Sequence, residues 1–408
     1  MKSLIKFFII FFMAISFSHC SFTQFAVLAK KGSVSKEEFQ TKIPFVYYND
    51  LIFIKVVIDG NSYNFFVDTG AGLNVIGKNI IDQINYKHVS KSKVSGSSNI
   101  SKKAQLIELE KISIANLDFA HTGAIIMDLS HLQELLACQK IDGIIGNNLL
   151  RKATWQINYN KQEIIISNKI ENMFISPNAH KIDIDSKKWG NVYLDINIDG
   201  EKSKYTFDTG FTGKIKSNKA LFNDLLKGNN NLEYIVETGR TGANIYEITN
   251  GYIYNVYVDS VDIEGIKIQN QIINLSESSK SLLGNGFFKN YILTMDWNNN
   301  RLYLDPMKEI EADTLKGYQL VYQPNYTSNK LEVIRYWDNY KLDDSISLGA
   351  QILEINGLDI SNYSTDELCN YWGTERNKKN KEKVLNIVIL DQGIEKYIQL
   401  NEAVLLPK

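Results

Sequence analysis

The chain has 408 residues, 44% hydrophobic and 22% charged, which suits globular domains with true cores and points to two or three of them. The formal net charge is −1, so no global field points toward nucleic acid. The histidines stand isolated and no Cys or His spacing fits a metal site, so the expectation is no metal and no organic cofactor.

The first residues read as a targeting segment. Lys2 and Lys6 supply a positive start, residues 7–17 are almost wholly apolar, and Ser16 and Ser18 offer a cleavage site. A signal peptide over 1–20 is expected, and with it an exported protein of the periplasm or cell envelope. The apolar run is too short to span a bilayer comfortably. Phe17-Ser18-His19-Cys20 resembles a bacterial lipoprotein box, with His19 in place of the usual small residue. Membrane contact would therefore come only through lipidation of Cys20. Cys138 and Cys369 fall in different units, either as buried free thiols, the plainer reading, or as a bridge. The stretch after the leader up to about Ile43 is a polar lead-in.

A pattern then occurs twice. Ile54 to Ile58 reads as a strand, Asp59-Gly60 as a hairpin turn and Tyr63 to Val67 as the returning strand, which delivers Asp68-Thr69-Gly70. Later, Val192 to Ile198 alternates, Asp199-Gly200 turns, and Tyr205 to Phe207 leads into Asp208-Thr209-Gly210. The turn precedes the aspartate equally in both (68 − 59 = 9; 208 − 199 = 9). An apolar-apolar-Gly landmark follows each, Ile144-Ile145-Gly146 and Leu282-Leu283-Gly284, at nearly matched spacing (146 − 68 = 78; 284 − 208 = 76). Each landmark is followed by a strand, a polar turn and a returning strand. These agreements mark an internal repeat. Between the landmarks, Gly96 and the Gly239–Gly242 stretch are placed at hairpin tips by position, and short helical turns are expected at Ser130 to Ala137 and Ala220 to Leu226.

The chain changes character near Leu315, after an acidic joint at residues 309–313. Ser347 to Gly357 reads as a strand ending in an Asn-Gly turn, Ser364-Thr365-Asp366-Glu367 as a capping box opening a helix, and Val384 to Leu390 as a buried strand. This is a separate third unit, expected to fold alone.

Two carboxylates held together carry a definite chemistry. They cannot both ionise, so one pKa rises and the pair shares a proton. The ionised partner takes a proton from water, and the protonated partner polarises a carbonyl. Gly after Thr lets the chain turn sharply beside the carboxylate, and a buried Thr hydroxyl can bond across to the opposite loop.

Phe66-Val67-Asp68-Thr69-Gly70-Ala71 with Ile144-Ile145-Gly146, and Phe207-Asp208-Thr209-Gly210 with Leu282-Leu283-Gly284, resemble the retropepsin-like aspartic proteases. The second copy departs after its glycine, where Phe211-Thr212-Gly213 stands in place of Ala or Ser. Residues 349–357 of the third unit resemble a PDZ domain of the bacterial protease type, with Ala350 in place of Asp. The resemblance implies a mainly β chain: two duplicated retropepsin-like β-barrel lobes in a bilobal acid-protease fold, plus a C-terminal PDZ-like α+β domain. The implied boundaries are 1–20 for the signal peptide, 44–172 and 180–312 for the lobes, and 315–408 for the third domain. It implies Asp68 and Asp208 as catalytic residues. Thr69, Gly70, Thr209 and Gly210 would support the loops, and Gly146 and Gly284 would lie on the strands beneath them. The implied activity is that of a monomeric aspartic endopeptidase acting on polypeptide, with a peptide or protein ligand for the PDZ-like groove and no nucleic acid. The alternative of another class is a non-catalytic cell-envelope protein that binds peptide on the same duplicated fold.

Overall fold

The computed structural model describes residues 20–95, 101–136, 139–185, 190–229, 231–243, 248–277, 280–325, 327–338, 346–375 and 382–407. Residues 1–19 of the expected leader, Gly96 and Cys138 lie outside the described residues. No helix among the described residues is long and apolar enough to cross a membrane.

The chain is mainly β. In the first lobe, β1 (Leu51–Ile58) and β2 (Asn61–Val67) form the hairpin that reaches Asp68. Its turn is fixed by Asp59 and Gly60, both at positive φ (50° and 83°), the two-residue geometry that matches strand twist. The lobe continues with β3 (Asn74–Gly77), β4 (Lys87–Ser95), β5 (Ser101–Ile114), β6 (Leu117–Met127) and β7 (Gly143–Ile145). Pairing in the order β1-β2-β7-β3-β6-β5 returns to β1 through Val57 and Ser113, which closes a barrel. β4 stands outside it as the partner of β5.

The second lobe repeats this. Its strands are β8 (Tyr193–Ile198), β9 (Glu201–Phe207), β10 (Ile215–Asn218), β11 (Tyr234–Ala243), β12 (Ile248–Ile263), β13 (Ile266–Ser276) and β14 (Leu282–Leu283). Asp199 and Gly200 turn the first hairpin at φ 47° and 97°. The order β8-β9-β14-β10-β13-β12 closes back on β8, and β11 pairs with β12 from outside. Closure pairs every barrel strand on both sides and leaves the edges of the outer hairpin strands β4 and β11 outside the ring.

Between the barrels lies a six-stranded sheet. Thr154–Asn158 pairs antiparallel with Tyr291–Asp296 at its centre, Trp155 opposite Met295. Glu163–Ser167 and Arg301–Pro306 flank them, and Gln40–Pro44 and His180–Asp183 form the edges. One apolar core runs from Ile54 and Phe65 through Trp155 and Met295 to Phe207 and Ile273, all 2% exposed or less. The polar lead-in expected before Ile43 is corrected here. It contains helix α1 (Cys20–Lys30), whose Leu28 is buried, and an edge strand of the interlobe sheet.

The third unit contains β15 (Leu320–Asn325), β16 (Lys330–Trp337), β17 (Gln351–Ile355), β18 (Val384–Asp391) and β19 (Ile394–Asn401). A short helix, Thr365–Asn370, opens on the expected capping box, with Ser364 and Glu367 bonding reciprocally. The expected Asn356-Gly357 turn is present, with both residues at positive φ (49° and 78°). Cys369 on this helix is disulfide-bonded, so the plainer expectation of a free thiol does not hold for it.

The third unit is docked on the second lobe. β16 pairs with β11 of the second lobe, Glu237 opposite Trp337 and Gly239 opposite Arg335, so one sheet runs from the second barrel into the third unit. Gly239 sits at φ 133°, and a Cβ there would lie 2.2 Å from the Ile334 carbonyl oxygen. The glycine is kept small by the docked strand; it is not a hairpin tip. Glu237 and Arg335 form an ion pair at 3.1 Å, and Ile235, Trp337, Leu405 and Leu406 make an apolar cluster across the junction. The acidic joint is pinned as well: Asp313 takes the Lys214 ammonium at 2.8 Å and the Ile272 N–H at 3.0 Å.

Candidate active site

Each motif aspartate sits where a strand leaves its barrel. The Asp68 N–H donates to the Ile145 carbonyl at 3.0 Å, and the Asp208 N–H to the Leu283 carbonyl at 3.0 Å. The landmark strands therefore hold the loops from beneath. Gly146 and Gly284 lie one residue past those strands, at the start of short helices. A Cβ on Gly146 would meet the Leu73 carbonyl oxygen at 2.5 Å, and one on Gly284 would meet that of Phe211 at 2.3 Å. Only glycine fits at either place.

The threonines lock the loops to each other. Thr69 Oγ1 donates to the Phe207 carbonyl and accepts from the Thr209 N–H, both at 2.9 Å. Thr209 Oγ1 donates to the Val67 carbonyl at 2.9 Å and accepts from the Thr69 N–H at 3.1 Å. Both side chains are at most 1% exposed, so these four bonds cross the interface without competition from water.

The glycines after the threonines bring the carboxylates together. A Cβ on Gly70 would stand 2.7 Å from Cγ of Asp208, and one on Gly210 2.5 Å from Cγ of Asp68. The structure thus brings together all eight residues singled out by the sequence. The two carboxyl groups hydrogen-bond to each other, which requires that one carry a proton.

Burial raises both pKa values, and Asp208 is raised further, by the neighbouring Asp68 charge. The loops explain the difference. Asp68 Oδ1 accepts the N–H groups of Gly70 and Ala71 at 2.7 and 3.1 Å, whereas Asp208 Oδ1 accepts that of Gly210 at 2.9 Å. Two donors favour the anion at Asp68, so the shared proton rests on Asp208. The Lys280 ammonium pulls in the opposite direction on both groups. Phe211 leaves the loop geometry intact: its N–H meets the Asp208 carbonyl at 3.2 Å, as that of Ala71 meets Asp68 at 3.3 Å. Its ring lies against Gly213 and Gly284, which have no side chains to obstruct it.

Two asparagines were missed as site residues. Asn147 Nδ2 donates to the Thr69 carbonyl and Asn285 Nδ2 to the Thr209 carbonyl, each at 2.6 Å. Their own N–H groups bond the Ala71 and Phe211 carbonyls at 2.8 and 2.9 Å. The signal was available, since both landmarks end in Gly-Asn. Among the described residues no cluster of His, Cys, Asp and Glu could hold a metal ion.

Residues 54–149 match a family model described as aspartyl protease. The match covers less than half of the chain and takes in Asp68, Thr69, Gly70 and Gly146, all in the first lobe. No curated protein matches the chain.

Proposed function

We propose that this protein is an exported aspartic endopeptidase that hydrolyses peptide bonds with water activated between Asp68 and Asp208. The observation that carries the reading is the pair of half-buried carboxyl groups that face each other and share a hydrogen bond. The aspartyl protease match to the first lobe supports it. In the reaction, Asp68 as the anion removes a proton from water while the Asp208 proton passes toward the scissile carbonyl oxygen. The hydroxide adds to the carbonyl carbon and forms a tetrahedral diol. Collapse breaks the C–N bond: the proton gained by Asp68 goes to the leaving nitrogen, and one diol hydroxyl returns its proton to Asp208 as the carboxyl product forms. The pair ends with the one proton it began with. One chain carries both aspartates, so a monomer suffices.

The third unit is proposed to recruit a peptide or protein by strand addition. Helix Ser130–Leu135 of the first lobe lies against β15, so a recruited chain is held next to the catalytic lobes. Export rests on the charged and apolar leader, and attachment to the membrane on lipidation at Cys20.

Purified protein and an unfolded polypeptide test the reading. Cleavage should occur in mild acid and stop with an aspartic protease inhibitor. Asp68→Asn and Asp208→Asn should each lower kcat by about 3 orders of magnitude or more, since the pair acts as a unit. Tight binding of the polypeptide with no cleavage would instead establish the peptide-binding alternative.

A further inference from the structure

The two barrels repeat one topology but not one surface. In the first lobe Val75 pairs with Ile144 on one side and Ile125 on the other. These residues, with Phe66 and Leu73, form an apolar cluster, each 5% exposed or less. Val94 of the β4–β5 hairpin packs onto it. The second lobe has Lys216 in the place of Val75. Lys216 pairs with Leu282 on one side and Asn274 on the other.

Lys216 lies close to the chemistry. The next residue after its partner Leu282 is Leu283, whose carbonyl receives the Asp208 N–H. Ile215 and Ser217 are buried on the barrel side of β10, so the alternation of the strand turns Lys216 to the opposite face. There its ammonium reaches the β11–β12 hairpin: a Cβ on Gly242 would lie 3.8 Å from Lys216 Nζ. Lys280 precedes Leu282 by two residues, and its charge is felt by both catalytic carboxylates. This face of the second barrel therefore lies beside the Asp208 loop.

The Lys216 ammonium is half-buried and has neither a hydrogen bond nor an ion pair among the described residues, whereas Lys214 beside it is held by Gln271 and Asp313. Burial lowers its pKa. A desolvated cation without a counter-charge is costly in the free protein and is relieved by any anion that enters with substrate. Asn274 beside it is committed to Asn255 at 2.5 Å, and Asn255 to Glu237 at 2.8 Å. Glu237 is in turn paired with Arg335.

We propose that Lys216 forms the floor of a substrate subsite on the second lobe that takes a carboxylate of the peptide. The carboxylate comes from an Asp or Glu side chain near the scissile bond or from the free C-terminus of a short substrate. This rests on the peptidase reading and adds a preference to it.

The test is cleavage of a mixed peptide library, with products identified by mass spectrometry. One arm uses C-terminally amidated peptides and the other free acids. Wild type should favour Glu over Gln at one position by about 10-fold or more in kcat/KM, the scale of one charged hydrogen bond; a preference confined to the free acids identifies the terminal carboxylate. Lys216→Met should erase the preference and Lys216→Arg should keep it. Lys216→Glu should select Lys or Arg at the same position, a gain that misfolding does not produce. Cleavage with equal rates for Glu and Gln and for both termini, or a preference unchanged in Lys216→Met, would overturn the subsite alone. A library left wholly intact would overturn the peptidase reading, and the subsite with it.

Discussion

The reciprocal threonine bonds make a quantitative test of the site's construction that does not depend on turnover. Thr209→Val keeps the volume and removes the hydroxyl. Two groups are orphaned across the interface: the Thr69 N–H, which donates to Thr209 Oγ1 at 3.1 Å, and the Val67 carbonyl, which accepts from it at 2.9 Å. Water cannot replace the bond, because Thr209 is wholly buried. Each orphaned buried group costs about 1–3 kcal/mol, so the variant should lose roughly 2–6 kcal/mol of stability. Urea unfolding followed by tryptophan fluorescence measures the difference, and Thr209→Ser, which retains the hydroxyl, should recover most of it. A Thr209→Val variant within about 0.5 kcal/mol of wild type, the range of an ordinary surface change, would refute the reasoning.

The shared proton has a consequence for stability. The folded-state pKa of Asp208 lies above the ordinary carboxylate value, so its stabilising contribution is complete in acid and is lost as pH rises through the raised value. Wild type should weaken from mild acid toward neutrality and Asp208→Asn should flatten that slope; an unchanged slope in urea titrations across pH would exclude the assignment. The docked third unit should matter to catalysis on short peptides as well as proteins. Cutting the chain after Asp313 removes the strand paired to β11 and should lower kcat/KM on both, so unchanged turnover of a short peptide would mean that the docking has no bearing on the cleft. Arg335→Met leaves Glu237 buried without its ion pair and should cost about 3–5 kcal/mol by urea unfolding; a loss below about 1 kcal/mol would show that Glu237 is otherwise accommodated.

The parts of the molecule that were legible are those specified by neighbouring residues. Asp59-Gly60 and Asp199-Gly200 announce their turns because few other pairs tolerate positive φ twice in succession. The two Asp-Thr-Gly loops and their glycine landmarks are visible because each copy confirms the other. The docking of β16 on β11 was not legible. It joins residues about a hundred positions apart in the chain, and no local pattern records which strand will cover an exposed edge. Gly239 was misread for the same reason: its need for φ 133° was visible as a glycine, but the Ile334 carbonyl that excludes a side chain comes from another unit. Asn147 and Asn285 went unassigned because an asparagine after a strand is ordinarily a turn residue. Their bonds to the Thr69 and Thr209 carbonyls exist only once the loops are in place. Nothing in the sequence singles out Lys216, since alternation along a four-residue strand does not say what lies above it.

The interlobe sheet joins the two barrels within a single polypeptide, and this changes what the local twofold axis permits. In a pair of identical subunits every substitution appears on both sides of the axis. Here Phe211 holds the place that Ala71 has in the first lobe, Lys216 that of Val75, and Asn274 that of Ile125. A peptide has a direction, and a symmetric site accepts it equally well running either way. The proposed carboxylate subsite at Lys216 has no twin at Val75, so under the proposed function a bound chain would run with one polarity, and every scissile bond would meet Asp68 and Asp208 in the same order.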